Sequence, residues 1–164
     1  MKLVEIKDVR VGQIWDNGNN FLIITGFSEH EPEMVHSVTY VPEDKPITLK
    51  SGKKVAGLMY SSTSKNSLEG SKLIGKLGIT HRIEDNRLVE IPPVFKEQKI
   101  NTDDIVKILE DDSCPWVVVT TYNAKKYKRY ISLLSYHDSH FSENEVEKIG
   151  ILGVTHEFVN DREA

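Results

Sequence analysis

The sequence predicts a mainly β protein with short helices, of the α+β class, in which one small module occurs twice. Its 164 residues are 38% hydrophobic and 28% charged, a composition typical of a globular chain that can build a core. Short apolar runs alternate with clusters of Gly, Pro, Asn, Asp and Ser, as expected for strands joined by turns. A segment of the first half of the chain also recurs in the second half, which indicates tandem copies.

The repeat is clearest near its end, where LGITH (residues 77–81) is followed 75 residues later by LGVTH (residues 152–156). Residues 53–83 align without gaps on residues 128–158 at the same shift, and 10 of these 31 positions are identical. This agreement predicts that the two segments have the same local structure.

A second match aligns residues 14–25 with residues 109–120, a shift of 95. Because this shift is larger by 20, the first copy is expected to carry an insertion over residues 28–47. Pro92-Pro93 can continue neither a strand ladder nor a helix, so it marks a boundary. The predicted domains are a first module over residues 1–92, a linker over 93–102 and a second module over 103–164.

Each copy should begin with a β-hairpin. Asn17-Gly18-Asn19-Asn20 and Asp111-Asp112-Ser113 have the composition of tight turns. The predicted strands around and after these turns are residues 11–16, 21–27 and 54–61 in the first copy and residues 116–122 and 128–136 in the second.

A short helix is expected near the end of each copy. Ser142 and Glu145 have the spacing of a capping box, so a helix should run to about Leu152 and end at Gly153 in a left-handed conformation. The matching residues of the first copy are Ser67 as cap, Leu73, Ile74 and Leu77 as the apolar stripe, and Gly78 as terminator. A last strand should follow each glycine, over residues 79–83 and 154–158, and residues 87–91 should add an edge strand.

The two histidines of the repeat, His81 and His156, admit a structural and a catalytic interpretation. Alternation along a strand would place each histidine between two apolar side chains on the inward face. This pattern favours a half-buried ring that fixes the turn after the helix. We therefore expect His81 and His156 to occupy equivalent, mostly buried positions, one in each module.

The catalytic alternative is a two-histidine phosphoesterase, whose motif has a hydroxyl two residues after each histidine. Ile83 and Phe158 stand at those positions, so the motif is incomplete. His137, Asp138 and His140 form an HDSH segment that lacks further metal ligands nearby in sequence. Cys114 is the single cysteine, and it has no defined partners for nucleophilic catalysis. We expect no catalytic residue, no metal and no other cofactor.

Two basic segments are candidates for binding nucleic acid or an acidic partner. Cations next to aromatic rings can contact phosphates and stacked bases. The alternative is a solvated hairpin whose aromatic side chains face the core. The candidate residues are Lys53 and Lys54 in the first copy and Lys125, Lys126, Tyr127, Lys128 and Arg129 in the second.

The predicted insertion is a candidate protein-binding surface. It is acidic at its start and has a strand-like centre, and added hairpins often give one copy of a duplicated module its own contacts. Its candidate contact residues are Glu31, Met34 and Tyr40. Trp15 and Trp116 are expected to be core or rim residues of the two modules.

The bulk composition excludes several classes of function. No apolar run approaches the roughly 18 residues of a membrane helix, and the first residues lack the apolar stretch of a secretory signal. A cytoplasmic location is therefore expected. The net charge is −4, which lacks the basic excess usual in nucleic-acid-binding proteins.

The start of the first copy, Val11-Gly12-Gln13-Ile14-Trp15 followed by Phe21-Leu22-Ile23-Ile24, resembles the first hairpin of SH3-like small β-barrels of the Tudor and KOW type. This resemblance implies two tandem SH3-like barrels. In size and composition the chain is also similar to the early accessory proteins of T4-type phages, which include transcription modifiers and inhibitors of host enzymes.

Our first hypothesis from the sequence is a non-enzymatic accessory protein that binds and modulates or inhibits a host protein, in the host cytoplasm. The alternative is a nucleic-acid-binding transcription modifier of the Tudor/KOW type. An enzyme is the third hypothesis. Exposed edge strands on small barrels would also allow a homodimer.

Overall fold

The structure, a computed structural model, describes residues 2–92, 99–124, 127–131 and 138–160, with side chains described except at 111–114, 122–124, 127–131, 138 and 139. Within these ranges the chain is mainly β, as predicted. The helices in this part of the chain are short 3₁₀ turns, so none is long and apolar enough to cross a membrane.

Sixteen strands and two 3₁₀ helices account for the regular structure of these residues. The strands are β1 (Lys2–Glu5), β2 (Gln13–Asp16), β3 (Phe21–Phe27), β4 (Met34–Val41), β5 (Ile47–Thr48), β6 (Lys54–Val55), β7 (Gly57–Ser64), β8 (Lys72–Lys76), β9 (His81–Glu84), β10 (Arg87–Glu90), β11 (Asp104–Ile108), β12 (Asp111–Ala124), β13 (Tyr127–Ile131), β14 (Asp138–Ser142), β15 (Val146–Ile151) and β16 (His156–Val159). The 3₁₀ helices are Lys65–Leu68 and Glu143–Glu145.

The chain divides into two compact units. The first unit is Lys7–Ile91, and the second unit combines Met1–Ile6 with Pro92–Ala164. The predicted first module, residues 1–92, included the first six residues instead. They join the second unit because β1 pairs with β16, so the chain passes from one unit to the other after Ile6 and again after Ile91. The predicted linker lies largely outside the described residues.

Each unit contains a five-stranded antiparallel sheet, and the two sheets follow the same path. The strand order is β7-β4-β3-β2-β8 in the first unit and β14-β13-β12-β11-β15 in the second. In both, four strands are added in chain order, a 3₁₀ helix follows, and the fifth strand returns to pair with the first. Two-stranded ladders complete the units: β9-β10 and β5-β6 in the first, and β1-β16 in the second.

The core of the first unit covers both faces of strands β2 and β3. On one face Ile14 and Ile23 pair across the strands and are 0% and 1% exposed. On the other face Trp15 pairs with Leu22 in a second buried cluster. Because both faces are covered, Leu22-Ile23-Ile24 is a continuous apolar run instead of an alternating one.

In the core of the second unit, the large and the small side chain of one cross-strand pair have changed places relative to the first unit. Val106 of β11 pairs with Trp116 of β12, whereas the matching pair in the first unit is Trp15 with Leu22. The large ring thus comes from the second strand of one sheet and from the first strand of the other. Trp116 is half-buried and packs at an angle against Phe141. The exchange reduces the volume of the pair by only one methylene group, and cores tolerate nearly volume-conserving changes best.

The two predicted helices are wrong, since both segments are strands. β8 and β15 pair along their whole lengths with β2 and β11, and this pairing overrides a weak local helix signal. Helical turns remain only as the two 3₁₀ segments. Ser64 caps the first by accepting the N–H of Asn66, while the Ser142 hydroxyl donates to the Glu145 carboxylate instead of capping the backbone.

The segment predicted as an insertion, residues 28–47, contains a strand of the sheet itself. Its centre forms β4, an integral strand of the first sheet in which Val35 and Val41 are fully buried. The strand of the second sheet at the same place is β13. The described residues of the first unit also include the β5–β6 hairpin between β4 and β7, whereas residues 132–137 between β13 and β14 lie outside the described set.

The register of the upstream match needs the same correction. Ile14 and Ile105 are the equivalent residues, because each pairs with the mid-strand glycine of the returning strand, Gly75 or Gly150. The shift between the first strands is therefore 91 instead of 95. The sequence match is displaced because the hairpin of the second unit spans more residues between paired positions: Ile14 pairs with Ile23, whereas Ile105 pairs with Val117.

Candidate functional sites

The repeated histidines belong to two joints of the same construction, which we call the histidine joints. In the first unit Thr80 Oγ1 lies 2.7 Å from His81 Nδ1, and in the second Thr155 Oγ1 lies 2.8 Å from His156 Nδ1. His81 is 9% exposed, and His156 is half-buried. Each ring is therefore held by the threonine that precedes it in the sequence.

The threonine hydroxyl also closes the turn before the histidine. Thr80 Oγ1 accepts the Lys76 N–H at 2.8 Å and donates to the Lys76 carbonyl at 3.2 Å. Thr155 makes the same two contacts with Ile151, at 2.7 and 3.3 Å. A histidine protonated on Nδ1 would donate to this hydroxyl and satisfy its second lone pair. The ring nitrogen nearest the turn is thus engaged in structure.

Two glycines in each joint explain why the motif is so similar in both units. Gly78 and Gly153 have φ of +87° and +81°, and their N–H groups donate to the carbonyls of His81 and His156. The mid-strand glycines leave room for the joint itself, because a Cβ on Gly75 would lie 2.7 Å from His81 Nδ1. A Cβ on Gly150 would meet Thr155 and His156 in the same way. Each glycine therefore has a steric reason to be present.

Burial governs the protonation of both rings. Desolvation lowers the pKa of His81 below its ordinary value of 6.5, against the opposing influence of Glu90. Desolvation likewise lowers the pKa of His156, opposed by Glu5. Burial therefore favours the neutral form of both rings.

The predicted apolar neighbours of the histidines are only partly correct. Ile79 and Ile83 are 55% and 45% exposed, whereas Val154 is 2% exposed. The expected alternation fails because the strand begins at the histidine, so Ile79 and Val154 lie in the turn and not on a strand face. Each joint is complete within its own unit.

The basic segments do not occupy equivalent places. Lys53 and Lys54 are exposed at the β5–β6 hairpin of the first unit. Tyr127, Lys128 and Arg129 belong to β13, a central strand of the second sheet, and their side chains lie outside the described set, as do Lys125 and Lys126 entirely. Since β13 matches β4, the alignment of Lys53 with Lys128 does not reflect a shared position.

The residues named for protein binding are spread along the edge and face of the first sheet. Glu31 is exposed in the turn before β4, and Met34 is the first residue of that strand. Tyr40 lies near its end and stacks on Phe21, with ring centroids 6.1 Å apart. Only Tyr40 therefore takes part in an aromatic cluster.

Sequence reasoning did not single out Tyr60, the most exposed large apolar side chain of the described residues at 95%. It lies in β7, the last strand of the first sheet, which among the described residues pairs with β4 alone. Tyr60 pairs with Val38, and the next pair on that face is Leu58 with Tyr40. Phe21, Tyr40 and Tyr60 therefore lie on one face of neighbouring strands, which we call the aromatic face. The same face carries the buried Ile23 and Val38, and Tyr60 at the end of the sheet is its exposed member. The signal in the sequence was the position of this tyrosine, between an apolar stretch and a serine-rich stretch of the same strand.

Two further polar features are structural. Asp104 is 3% exposed, accepts the Asn101 N–H at 2.8 Å and lies 3.2 Å from Lys148 Nζ. Desolvation raises the pKa of its carboxyl group despite these contacts. Gln13 has the same place in the first unit, where it accepts the Arg10 N–H at 2.7 Å. Both side chains thus close the loop that precedes the first strand of a sheet.

A charged cleft of about 470 Å³ lies beside the β9–β10 hairpin. Two of its cations are paired, Arg87 with Glu43 at 3.0 Å and Arg82 with Glu84 at 3.1 Å. Its other lining residues are Asp85, Val89 and Glu90. Both arginines of the cleft are thus engaged in ion pairs with carboxylates of the same lining. Among the residues that the structure describes, no group of three or more His, Cys, Asp or Glu side chains is arranged to hold a metal ion.

Comparisons with protein-family models, with curated proteins and with solved structures find no match for this chain. Any function must therefore be argued from its own residues.

Proposed function

We propose that this chain is a non-enzymatic binding protein, made of two copies of an SH3-like module, that binds another protein through the aromatic face and free edge of its first sheet. The observation that carries the proposal is the 95% exposure of Tyr60 on the terminal strand β7. A large aromatic side chain at such a position adds contact area at a low cost in conformational entropy.

The shared strand path supports the SH3-like part of the proposal. Four antiparallel strands in chain order, a 3₁₀ turn, and a fifth strand returning to the first would give the small, strongly bent sheet of that class. Burial of both faces of β2 and β3 fits a sheet that folds back over itself.

The free edge of β7 favours an extended segment of the partner protein. An edge strand offers unpaired N–H and C=O groups, to which a peptide can add as a further strand. Tyr60 and Leu58, which lie on the same face of β7, would then flank alternate side chains of that peptide. Binding to a host protein, with modulation or inhibition of a host enzyme, agrees with the net charge of −4, which does not favour nucleic acid.

The test is affinity capture from a bacterial lysate treated with nuclease, with wild type, Tyr60→Ala and Leu109→Ala compared. Leu109 is 56% exposed in the second unit and serves as the matched control. Wild type and the control should recover the same stoichiometric protein, and Tyr60→Ala should recover at least about tenfold less, as for a binding hot spot. Equal recovery by Tyr60→Ala and wild type would reject the proposed surface.

A second candidate function is nucleic-acid binding by the β5–β6 hairpin, favoured by the exposure of Lys50, Lys53 and Lys54 within it. If these cations contact phosphates, Lys53→Glu/Lys54→Glu should weaken retention on a nucleic-acid column. It should also lower the slope of log affinity against log salt by about 2. Lys72→Glu/Lys99→Glu changes the net charge equally at other exposed lysines, and it should have a smaller effect. Lack of retention of wild type at low salt would remove this function.

A further inference from the structure

The two histidine joints are each covered by a strand of the same sequence. β10 and the residue after it read Arg87-Leu88-Val89-Glu90-Ile91, and β1 with its following residue reads Lys2-Leu3-Val4-Glu5-Ile6. The Leu-Val-Glu-Ile segment is thus identical in the two strands, and a basic residue precedes it in both.

The two strands also pair in the same register. Glu90 lies opposite His81 in the first unit, and Glu5 lies opposite His156 in the second. Beyond these pairs, Ile91 N–H donates to the Thr80 carbonyl at 2.9 Å, and Ile6 N–H donates to the Thr155 carbonyl at 2.8 Å. Strands β9 and β16 therefore accept the same peptide in the same way.

The difference lies in how the covering strand is attached. β10 follows β9 directly through Asp85-Asn86, both with positive φ, so the two strands form a tight hairpin. β1 and β16 lie at opposite ends of the described chain, and β1 leads through residues 6–12 into β2 of the first unit. Separation of β1 from β16 would break one ladder of four residue pairs, because β1 has no other strand partner among the described residues.

We propose that β16 is a strand-accepting site and that its partner is a second copy of this chain, whose β1 replaces the resident β1 in the same register. The partner's strand offers the same backbone groups and the same Leu-Val-Glu-Ile side chains, so the exchanged ladder is equivalent to the resident one. A short connection to a separate unit is the arrangement in which exchange between copies occurs at low cost.

The exchange is tested by disulfide trapping between two full-length variants, both carrying Cys114→Ser. Hydrogen-bonded and non-hydrogen-bonded pairs alternate along an antiparallel ladder. Because Ile6 and Thr155 share a backbone hydrogen bond, Leu3 and Phe158 form a non-hydrogen-bonded pair. The Cβ atoms of such a pair are close enough for a disulfide. One chain carries Leu3→Cys and the other Phe158→Cys. The control mixture carries Leu88→Cys and Ile83→Cys, the equivalent pair of the β9–β10 hairpin.

After incubation of equal amounts under mild oxidation, the Leu3→Cys and Phe158→Cys chains should form a covalent heterodimer. Its yield should exceed that of the control mixture by at least about tenfold, because the hairpin strand has to close only a very short loop to re-form its own ladder. A yield no higher than that of the control overturns the proposal.

If a cysteine variant fails to fold, amide hydrogen exchange of the wild-type chain tests the proposed strand exchange. The Ile6 amide should exchange at least about tenfold faster than the Ile91 amide, since detachment of β1 is a local opening that the hairpin lacks. Equal protection of the two amides overturns the proposal, because the resident strand would then never leave its site.

Discussion

Replacement of Gly75 by alanine is the most direct test of the histidine joint. A Cβ at this position would collide with Thr80 Oγ1 and would lie 2.7 and 2.9 Å from Nδ1 and Cε1 of His81. Neither neighbour can move freely, because the threonine hydroxyl is bonded to Lys76 and the histidine ring is buried. Overpacking costs about 1–3 kcal/mol, and loss of the buried hydrogen bonds adds about 1–3 kcal/mol. We expect Gly75→Ala to reduce the free energy of unfolding by about 3 kcal/mol.

The assay is urea unfolding followed by the indole N–H signals of Trp15 and Trp116, one in each unit. For a slope of about 1.5–2 kcal/mol per molar urea, the midpoint reported by Trp15 should fall by about 1.5–2 M. Gly26→Ala is the control, since a Cβ there meets only the His36 ring at 3.7 Å in a strand without positive φ. Equal midpoints for the two variants would refute the steric argument. Gly150→Ala should give the same loss in the transition reported by Trp116.

Two further predictions concern protonation and the core. Burial lowers the pKa of His81 and His156 in the folded chain below the value of 6.5 that they have in the unfolded chain. Their contribution to stability is therefore complete above pH 6.5 and is lost as the pH falls through the lower pKa of the folded chain. The free energy of unfolding of wild type, measured by urea titration, should therefore decrease between about pH 7 and pH 5. His81→Gln/His156→Gln should remove most of this dependence on pH. An unchanged dependence would exclude the histidines as its source. Trp15→Val should reduce the free energy of unfolding by about 3–5 kcal/mol. A second change, Leu22→Trp, should recover at least about 1 kcal/mol, because it recreates the Val106–Trp116 pair of the other unit. Strictly additive losses in the double-mutant cycle would contradict that equivalence.

Turn residues and alternating apolar residues predicted the strands better than they predicted the connections between them. Phe21–Phe27 and the edge strand at Arg87–Glu90 are confirmed, and both are bounded by turn residues in the sequence. The helices failed because Leu73, Ile74 and Leu77 have helical spacing, although Gly75 interrupts the run. A mid-strand glycine that accommodates a side chain from elsewhere in the fold leaves no local signal for its purpose.

The candidate sites were less accessible from the sequence. The repeat correctly indicated that the residues around the two histidines share one structure, since repeated spacing reflects repeated geometry. The exposure of Tyr60 depends on the end of the sheet lying at β7, which is decided by strand order and not by local pattern. The Leu-Val-Glu-Ile segment also occurs twice in the sequence, but its two copies are 85 residues apart, which differs from the spacing of the two histidines. Its partner β16 follows only from the topology.

The two units differ in a way that argues for where binding resides. Residues that build the histidine joint and its covering strand are nearly unchanged, and the Val106–Trp116 pair is smaller than the Trp15–Leu22 pair by only one methylene group. These positions preserve the fold. Within the residues that the structure describes, the first unit adds the β5–β6 hairpin directly before the strand that carries Tyr60. Selection for stability alone would not favour a 95% exposed tyrosine on a free edge, because the side chain contributes almost nothing to the core there. The first unit is therefore where we expect the partner protein to bind, and the second unit is where we expect a second copy of the chain.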